Sequence, residues 1–247
     1  RLMSTIGYEN TRISTIRSTW VILAITLVLT GGITALAASF ANLDPGTGER
    51  GAPVAMSQVM NTISSPIVLV GLSAMAAMAF GGEYRFGLIR LTLTSFPRRT
   101  SVFGAKLLVV VVWLLAFLLL SAVVMVGVSA LFRDSVIFEP FSTSTLGALL
   151  RSLLFGLAFC LFAFAFVLIT RNQALSIIIP LLWALLVEQL LTGFLGSKYE
   201  WLPKVLPMTS GQGFINGEDM IRNGAVYFGT LAVLLLIGWA LLTRRDA

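Results

Sequence analysis

Six long apolar segments dominate the sequence and restrict what the chain can fold into. A helix needs about 20 mainly apolar residues to cross the roughly 30 Å hydrocarbon core of a bilayer. A lone apolar run satisfies its backbone hydrogen bonds in lipid only as a helix. The sequence therefore predicts an all-α polytopic membrane protein, with residues 1–247 forming one transmembrane domain. The predicted spans are residues 20–40, 59–80, 104–132, 146–170, 173–195 and 226–242.

The composition excludes most enzyme chemistry. Charged residues make up 11% of the chain, whereas a soluble domain has about 25%. The chain has no histidine and a single cysteine, Cys160. Zinc or haem sites built on histidine, disulfides, and Ser/His or Cys/His catalytic pairs are therefore excluded. We expect no catalytic residue and no bound metal in this chain.

The distribution of basic residues predicts the orientation. Eleven of the 17 Lys and Arg residues lie in the amino-terminal segment, the loop at 81–106, the link at 170–173 and the carboxyl-terminal tail. The positive-inside rule places these segments in the cytoplasm, so both termini are predicted to be cytoplasmic. An even number of spans agrees with this orientation. In a membrane protein the net charge of +6 reflects basic residues that lie on the cytoplasmic side. We therefore do not expect the protein to bind nucleic acid.

The segment before the first span has the apolar spacing of a helix. One stripe, interrupted by Glu9, contains Leu2, Ile6, Ile13, Ile16 and Trp20. This spacing predicts an amphipathic helix over residues 1–18 that lies in the headgroup layer; the alternative is a solvated tail with chance periodicity. Basic side chains near the membrane surface are predicted to anchor the chain there. These anchors are Arg12, Arg17, Arg98, Arg99 and Lys106.

The loop after the second span is too polar to cross lipid and too apolar for a solvated linker. On a helical wheel the polar stripe contains Glu83, Gly87, Arg90 and Thr94, and the apolar stripe contains Phe86, Ile89, Leu93 and Phe96. The pattern predicts a cytoplasmic helix over residues 83–96, which Pro97 ends. Such a helix would present charge to a partner and apolar side chains to the membrane or bundle. The alternative is an ordinary positive-inside loop.

Residues 196–225 form a long loop that is predicted to lie outside the cell. Apolar residues such as Trp201 and Leu206 favour a packed, partly re-entrant cap over the alternative, a flexible loop.

One carboxylate, that of Glu188, lies within the fifth predicted span. A charge there is costly and requires a partner. Arg151 in the fourth span lies at a similar depth, so the two side chains could pair. The pair would either fix helix packing or handle a substrate or protons; a protonated Glu188 bonded to backbone is a further structural alternative.

Several motifs, taken in order along the chain, resemble one known family. Tyr8-Glu9 and Arg17-Ser18-Thr19-Trp20 are similar to the lead-in of bacterial ATP-binding-cassette (ABC) export permeases of the second type. Trp201-Leu202-Pro203 and the closing Arg244-Arg245-Asp246-Ala247 look like the far end of the same family. The stretch that resembles the family's segment between the second and third spans is Glu83, Tyr84, Arg85, Phe86, Gly87, Leu88, Ile89 and Arg90.

The resemblance implies a permease subunit of a bacterial cell membrane exporter. It would pair with a second permease subunit, either another copy or a related chain, and with two ABC ATP-binding subunits. Residues 83–90 would be the ATPase-coupling helix, with Glu83, Gly87 and Arg90 offered to the ATPase. The substrate would be an amphipathic or lipid-like molecule or a drug.

The chain lacks the phosphate-binding motif G-x-x-x-x-G-K-[ST], so ATP and Mg are expected on the partner ATPase and no cofactor is expected on this chain. Two other functions remain open. The first is an ion- or proton-coupled secondary transporter in which Glu188 carries the ion, and the second is a membrane anchor for a signalling complex.

Overall fold

The structure is a computed structural model that describes residues 2–43, 48–89, 91–92 and 99–244. Several residues of the sequence predictions fall outside this range. They are Arg1 of the predicted amino-terminal helix, Arg90 and residues 93–96 of the predicted coupling helix, Pro97 and Arg98 after it, and Arg245, Asp246 and Ala247 of the tail.

Within the described residues, six helices are long and apolar enough to cross a membrane, as the sequence predicts. The protein is therefore a mostly helical, multi-pass membrane protein. The first to sixth spans are Arg17–Phe40, Pro66–Arg85, Arg99–Ser129, Thr143–Thr170, Gln173–Leu195 and Met220–Arg244. The helices outside the spans are Leu2–Thr15, Met56–Met60, the 3-10 turn Asn61–Ser64, Leu202–Val205 and Pro207–Asn216. Two short strands, Val54–Ala55 and Val136–Ile137, pair in parallel.

The predicted bounds of the second span, residues 59–80, are wrong at both ends. The span begins at Pro66, because proline fits the first turn of a helix, where its missing N–H is not needed. The apolar residues before it, including Val59, form the separate short helix Met56–Met60, which is buried against the fourth span. At the other end the helix continues to Arg85, five residues beyond the predicted limit.

The fourth span is the centre of the bundle. In its most apolar stretch 72% of the residues are buried, against 22%, 17% and 22% in the first, fifth and sixth spans. Gly156 allows this packing, because a Cβ there would lie 3.1 Å from Leu69 Cδ2 and 3.3 Å from Leu118 Cδ2. Small residues commonly permit such close helix approach in membranes. The less buried spans surround this centre and leave most of their apolar surface exposed.

The end of the bundle at which the first, third and fifth spans begin is called the basic end here. It carries Arg17, Arg85, Arg99 and Arg171. Arg99 Nη1 donates a hydrogen bond of 3.1 Å to Leu242 O at the end of the sixth span, where unpaired helix carbonyls favour a cation.

Candidate functional site

Four charged side chains meet inside the protein at the basic end, and we call them the ion cluster. Its members are Glu9, Arg12, Glu83 and Lys106. Lys106 Nζ lies 2.7 Å from both Glu9 Oε1 and Glu83 Oε1. Arg12 Nη1 lies 2.6 Å from Glu83 Oε1, and Arg12 Nη2 lies 3.2 Å from Glu9 Oε2. Two cations and two carboxylates give the ionised cluster a net charge of zero.

Three separate elements supply the ion cluster. Glu9 and Arg12 lie one turn apart on the amino-terminal helix Leu2–Thr15, Glu83 lies in the last turn of the second span, and Lys106 lies near the start of the third. The backbone carbonyl of Ala79 accepts from Arg12 Nη2 at 2.8 Å and from Lys106 Nζ at 2.9 Å. The cluster therefore joins the amino-terminal helix to two spans.

The ion cluster is almost fully removed from solvent. The side chains of Lys106, Glu9 and Glu83 are 0%, 2% and 6% exposed, and that of Arg12 is 19% exposed. The three donors of the Lys106 ammonium reach Glu9, Glu83 and the Ala79 carbonyl, and the ammonium lies 5.0 Å from the centre of the Phe80 ring. Removing one partner of such a buried pair typically costs about 3–5 kcal/mol of stability.

These positions correct three sequence expectations. Arg12 and Lys106 were expected to anchor the chain at the membrane surface, and Glu83 to face a partner. Arg12 and Lys106 instead both bind Glu83 inside the protein, because the second span extends to Arg85 and the amino-terminal helix lies across its end. The stripe of the amino-terminal helix already contained a signal: Glu9 interrupts it, and a carboxylate on an apolar face needs a buried partner.

The predicted continuous helix over residues 83–96 is also wrong within the described residues. The second span ends at Arg85, residues 86–88 form a turn, and Gly87 has a φ of +66°, where glycine pays no steric penalty. Phe86, Leu88 and Leu91 are 69%, 45% and 64% exposed. We call residues 84–89 and 91–92 the connecting segment. It exposes apolar side chains at the basic end.

A cleft of about 530 Å³ separates the connecting segment from the amino-terminal helix. Tyr8 and Arg12 line one wall, and Phe86, Leu88 and Thr92 line the other. The connecting segment is thus accessible on the side that faces the ion cluster.

At the opposite end of the bundle, Glu188 is 1% exposed and accepts four hydrogen bonds. Its Oε1 accepts from Trp183 Nε1 at 2.6 Å and from Met208 N at 3.0 Å. Its Oε2 accepts from Thr209 N at 2.6 Å and from Thr209 Oγ1 at 2.8 Å. The N–H groups of Met208 and Thr209 belong to the first turn of the helix Pro207–Asn216 and have no partner within it. Glu188 therefore caps that helix.

The predicted pair between Arg151 and Glu188 is wrong. Arg151 Nε donates at 2.9 Å to Ile215 O, in the last turn of the same helix that Glu188 caps. A helix of ten residues is about 15 Å long, so the two charges lie near its opposite ends. A negative charge at the start and a positive charge at the end both complement the helix dipole.

A π-helical turn, Trp183–Val187, precedes Glu188 in the fifth span. Its wider spacing relates residues five apart, which is the separation of Trp183 from Glu188. The sequence analysis did not identify Trp183 as a partner, and Pro180 was the only local sign of an irregular helix.

A family model described as "Protein of unknown function (DUF2705)" matches residues 19–247. The chain belongs to this family. The matched region of this DUF2705 member covers all six spans except the first two residues of the first span, and it includes Glu83, Lys106 and Glu188, whereas Glu9 and Arg12 precede it. Among curated proteins, none matches the sequence.

Proposed function

We propose that this DUF2705 protein is the membrane subunit of an ATP-driven exporter of the ABC type in a bacterial cell membrane. It would place the basic end and both termini in the cytoplasm, pair with a second permease subunit, and bind two ATP-binding subunits. The amino-terminal helix would lie in the headgroup layer, and residues 196–225 would form the outer cap. The transported molecule would be an amphipathic or lipid-like compound or a drug.

The connecting segment next to the ion cluster is the observation that carries this proposal. Its exposed side chains Phe86, Leu88 and Leu91 follow directly from the helical turn that contains Glu83. Exposed apolar groups at the end of a membrane bundle suit an interface with another protein. Arg85, which is also exposed, adds charge to the same surface.

The ion cluster would turn this surface into a mechanical link. A force that an ATPase exerts on the connecting segment would reach Glu83 in the neighbouring helical turn. Glu83 accepts hydrogen bonds from Arg12 of the amino-terminal helix and from Lys106 of the third span, so both elements would follow. The helices can then move together as near-rigid bodies, as alternating access requires. No residue of this chain takes part in covalent chemistry in this scheme.

The test is purification of the tagged protein from its native membrane in mild detergent. We expect a soluble subunit with a phosphate-binding loop to co-purify and to hydrolyse ATP. Phe86→Ala should lower its recovery at least tenfold, because truncating an aromatic anchor at an interface commonly costs about 2 kcal/mol or more. The matched control is Phe141→Ala, since Phe141 is 85% exposed at the opposite end of the bundle.

Two results would contradict the proposal. One is a chain that purifies without any ATP-binding subunit, and the other is equal recovery of that subunit with Phe86→Ala and Phe141→Ala. Glu83→Ala is a poor probe because Glu83 is buried in the ion cluster, so its loss would disturb folding as well as assembly.

The proton-coupled carrier depends on Glu188. Each oxygen of this carboxylate already accepts two hydrogen bonds from its own protein, which favours a structural role. Proton-dependent flux by the chain alone, abolished by Glu188→Gln, would favour the carrier instead.

A further inference from the structure

A second cleft at the basic end, also about 530 Å³, lies where the second span meets the link between the fourth and fifth spans. Its lining comprises Gly81, Arg85, Arg171, Asn172, Gln173, Ala174 and Ile177. Among the described residues that line it, two are cationic and none is acidic. We call it the arginine cleft.

The backbone places Arg171 in the cleft at some steric cost. Arg171 has a φ of +54° and ends the fourth span, with its N–H bonded to Val167 O. Glycine or asparagine is usual at such a left-handed position. The Arg171 guanidinium lies 5.8 Å from the centre of the Tyr84 ring, which holds it beside the second span. Arg85 follows Tyr84 directly, so both cations reach the same cleft.

The lining changes from charged to apolar along the fifth span. Gln173, Ala174 and Ile177 lie on one face of its first turns, and this face leads away from the two arginines. Gln173 packs closely on the second span, because Gly81 leaves room for it: a Cβ at Gly81 would lie 2.7 Å from Gln173 Cβ. The fifth span is the least buried of the six, so the apolar end of the cleft continues into the lipid-facing surface.

We propose that the arginine cleft binds the phosphate group of an anionic phospholipid, with the start of an acyl chain along Ala174 and Ile177. Paired arginines suit phosphate oxygens, and basic pockets between membrane helices are known sites for anionic headgroups. The apolar wall favours a lipid over free phosphate, since a soluble anion gains nothing from it. The proposal holds whether or not the protein is an ATP-driven exporter.

The test measures binding of phosphatidylglycerol to the delipidated, detergent-purified chain by native mass spectrometry. Phosphatidylcholine and inorganic phosphate are the comparison ligands. We expect clear preference for phosphatidylglycerol, a loss of about fivefold for Arg85→Gln or Arg171→Gln, and about 30-fold for both together. The matched control is Arg133→Gln with Arg222→Gln, two exposed arginines at the opposite end of the bundle.

A second variant separates binding from folding. Ala174 is exposed in the first turn of the fifth span, where a negative charge favours the helix. Ala174→Asp should therefore keep the thermal midpoint of the lipid-free protein and weaken phosphatidylglycerol binding by at least fivefold. Ala174→Asn, of nearly the same shape but uncharged, should bind close to the wild-type level.

Three outcomes would overturn the proposal. The first is equal lipid binding by the wild type and the Arg85/Arg171 double variant. The second is displacement of the lipid by inorganic phosphate at equal concentration, which would make the cleft a site for a soluble anion. The third is a double variant that retains lipid but loses a co-purifying protein, which would make the cleft a protein-docking surface.

Discussion

Replacing Lys106 by methionine should destabilise the protein strongly. Methionine has a similar length, but it removes the cation that contacts Glu9, Glu83 and the Ala79 carbonyl. Two buried carboxylates would then share the single charge of Arg12. The expected loss in the free energy of unfolding is about 3–5 kcal/mol. At about 2–4 °C per kcal/mol for a chain of this size, the thermal midpoint should fall by about 6–20 °C.

A second substitution distinguishes a charge imbalance from simple loss of packing. Glu9→Gln combined with Lys106→Met leaves the pair between Arg12 and Glu83, whose net charge is zero. The double variant should therefore be more stable than Lys106→Met alone by about 1–2 kcal/mol, although it carries more changes. Lys198→Met, at an exposed position, should shift the free energy by less than about 0.5 kcal/mol.

The assay is thermal unfolding in mild detergent, followed by tryptophan fluorescence. A shift below about 2 °C for Lys106→Met, which is less than 1 kcal/mol, would refute the view that the ion cluster holds these helices together. A double variant that is no more stable than Lys106→Met alone would refute the charge-balance explanation.

Two further predictions concern residues at the end of the bundle opposite the basic end: the packing of Gly211, and the charges of Glu188 and Arg151. Gly211→Ala should lower the free energy of unfolding by about 1–3 kcal/mol, because the added Cβ would lie 2.6 Å from Phe155 Cε2. The control is Gly229→Ala, which should be neutral or stabilising, because no atom lies within 4 Å of the position of its added Cβ. Glu188→Gln and Arg151→Gln should each destabilise the protein, but a double-mutant cycle should give a coupling energy below about 0.5 kcal/mol. A coupling above 1 kcal/mol would mean that the two side chains interact directly.

The number of spans could be predicted from the sequence because hydrophobicity and length are local properties. The start of the second span could not, since residues 59–65 mix three apolar with four polar side chains and do not mark where the chain bends. Pro66 was the available signal, because a proline at the edge of an apolar segment marks a helix start.

The burial of the charged residues could not be predicted, because it depends on contacts between distant parts of the chain. Arg12 and Glu83 are 71 positions apart, and nothing local to either residue indicates the other. For Arg151 and Glu188 the sequence gives depth in the membrane but no lateral position. Two charges at a similar expected depth were therefore assigned to each other, whereas the intervening helix Pro207–Asn216 binds both.

The two buried charged sites attach helices outside the spans to the bundle, and this bears on the proposed ATP-driven function. The ion cluster ties the amino-terminal helix to the second and third spans, while Glu188 and Arg151 tie the helix Pro207–Asn216 to the fifth and fourth. A proton carrier must bind and release a proton at its working carboxylate. A proton on Glu188 Oε1 would face Trp183 Nε1 and Met208 N, which can only donate, so one of these two hydrogen bonds would be lost. A proton on Oε2 would require the Thr209 hydroxyl to turn and accept instead of donating. Work done on the bundle from outside, at the connecting segment, requires no such change at Glu188, and this is why we propose an ATP-driven partner rather than a proton gradient.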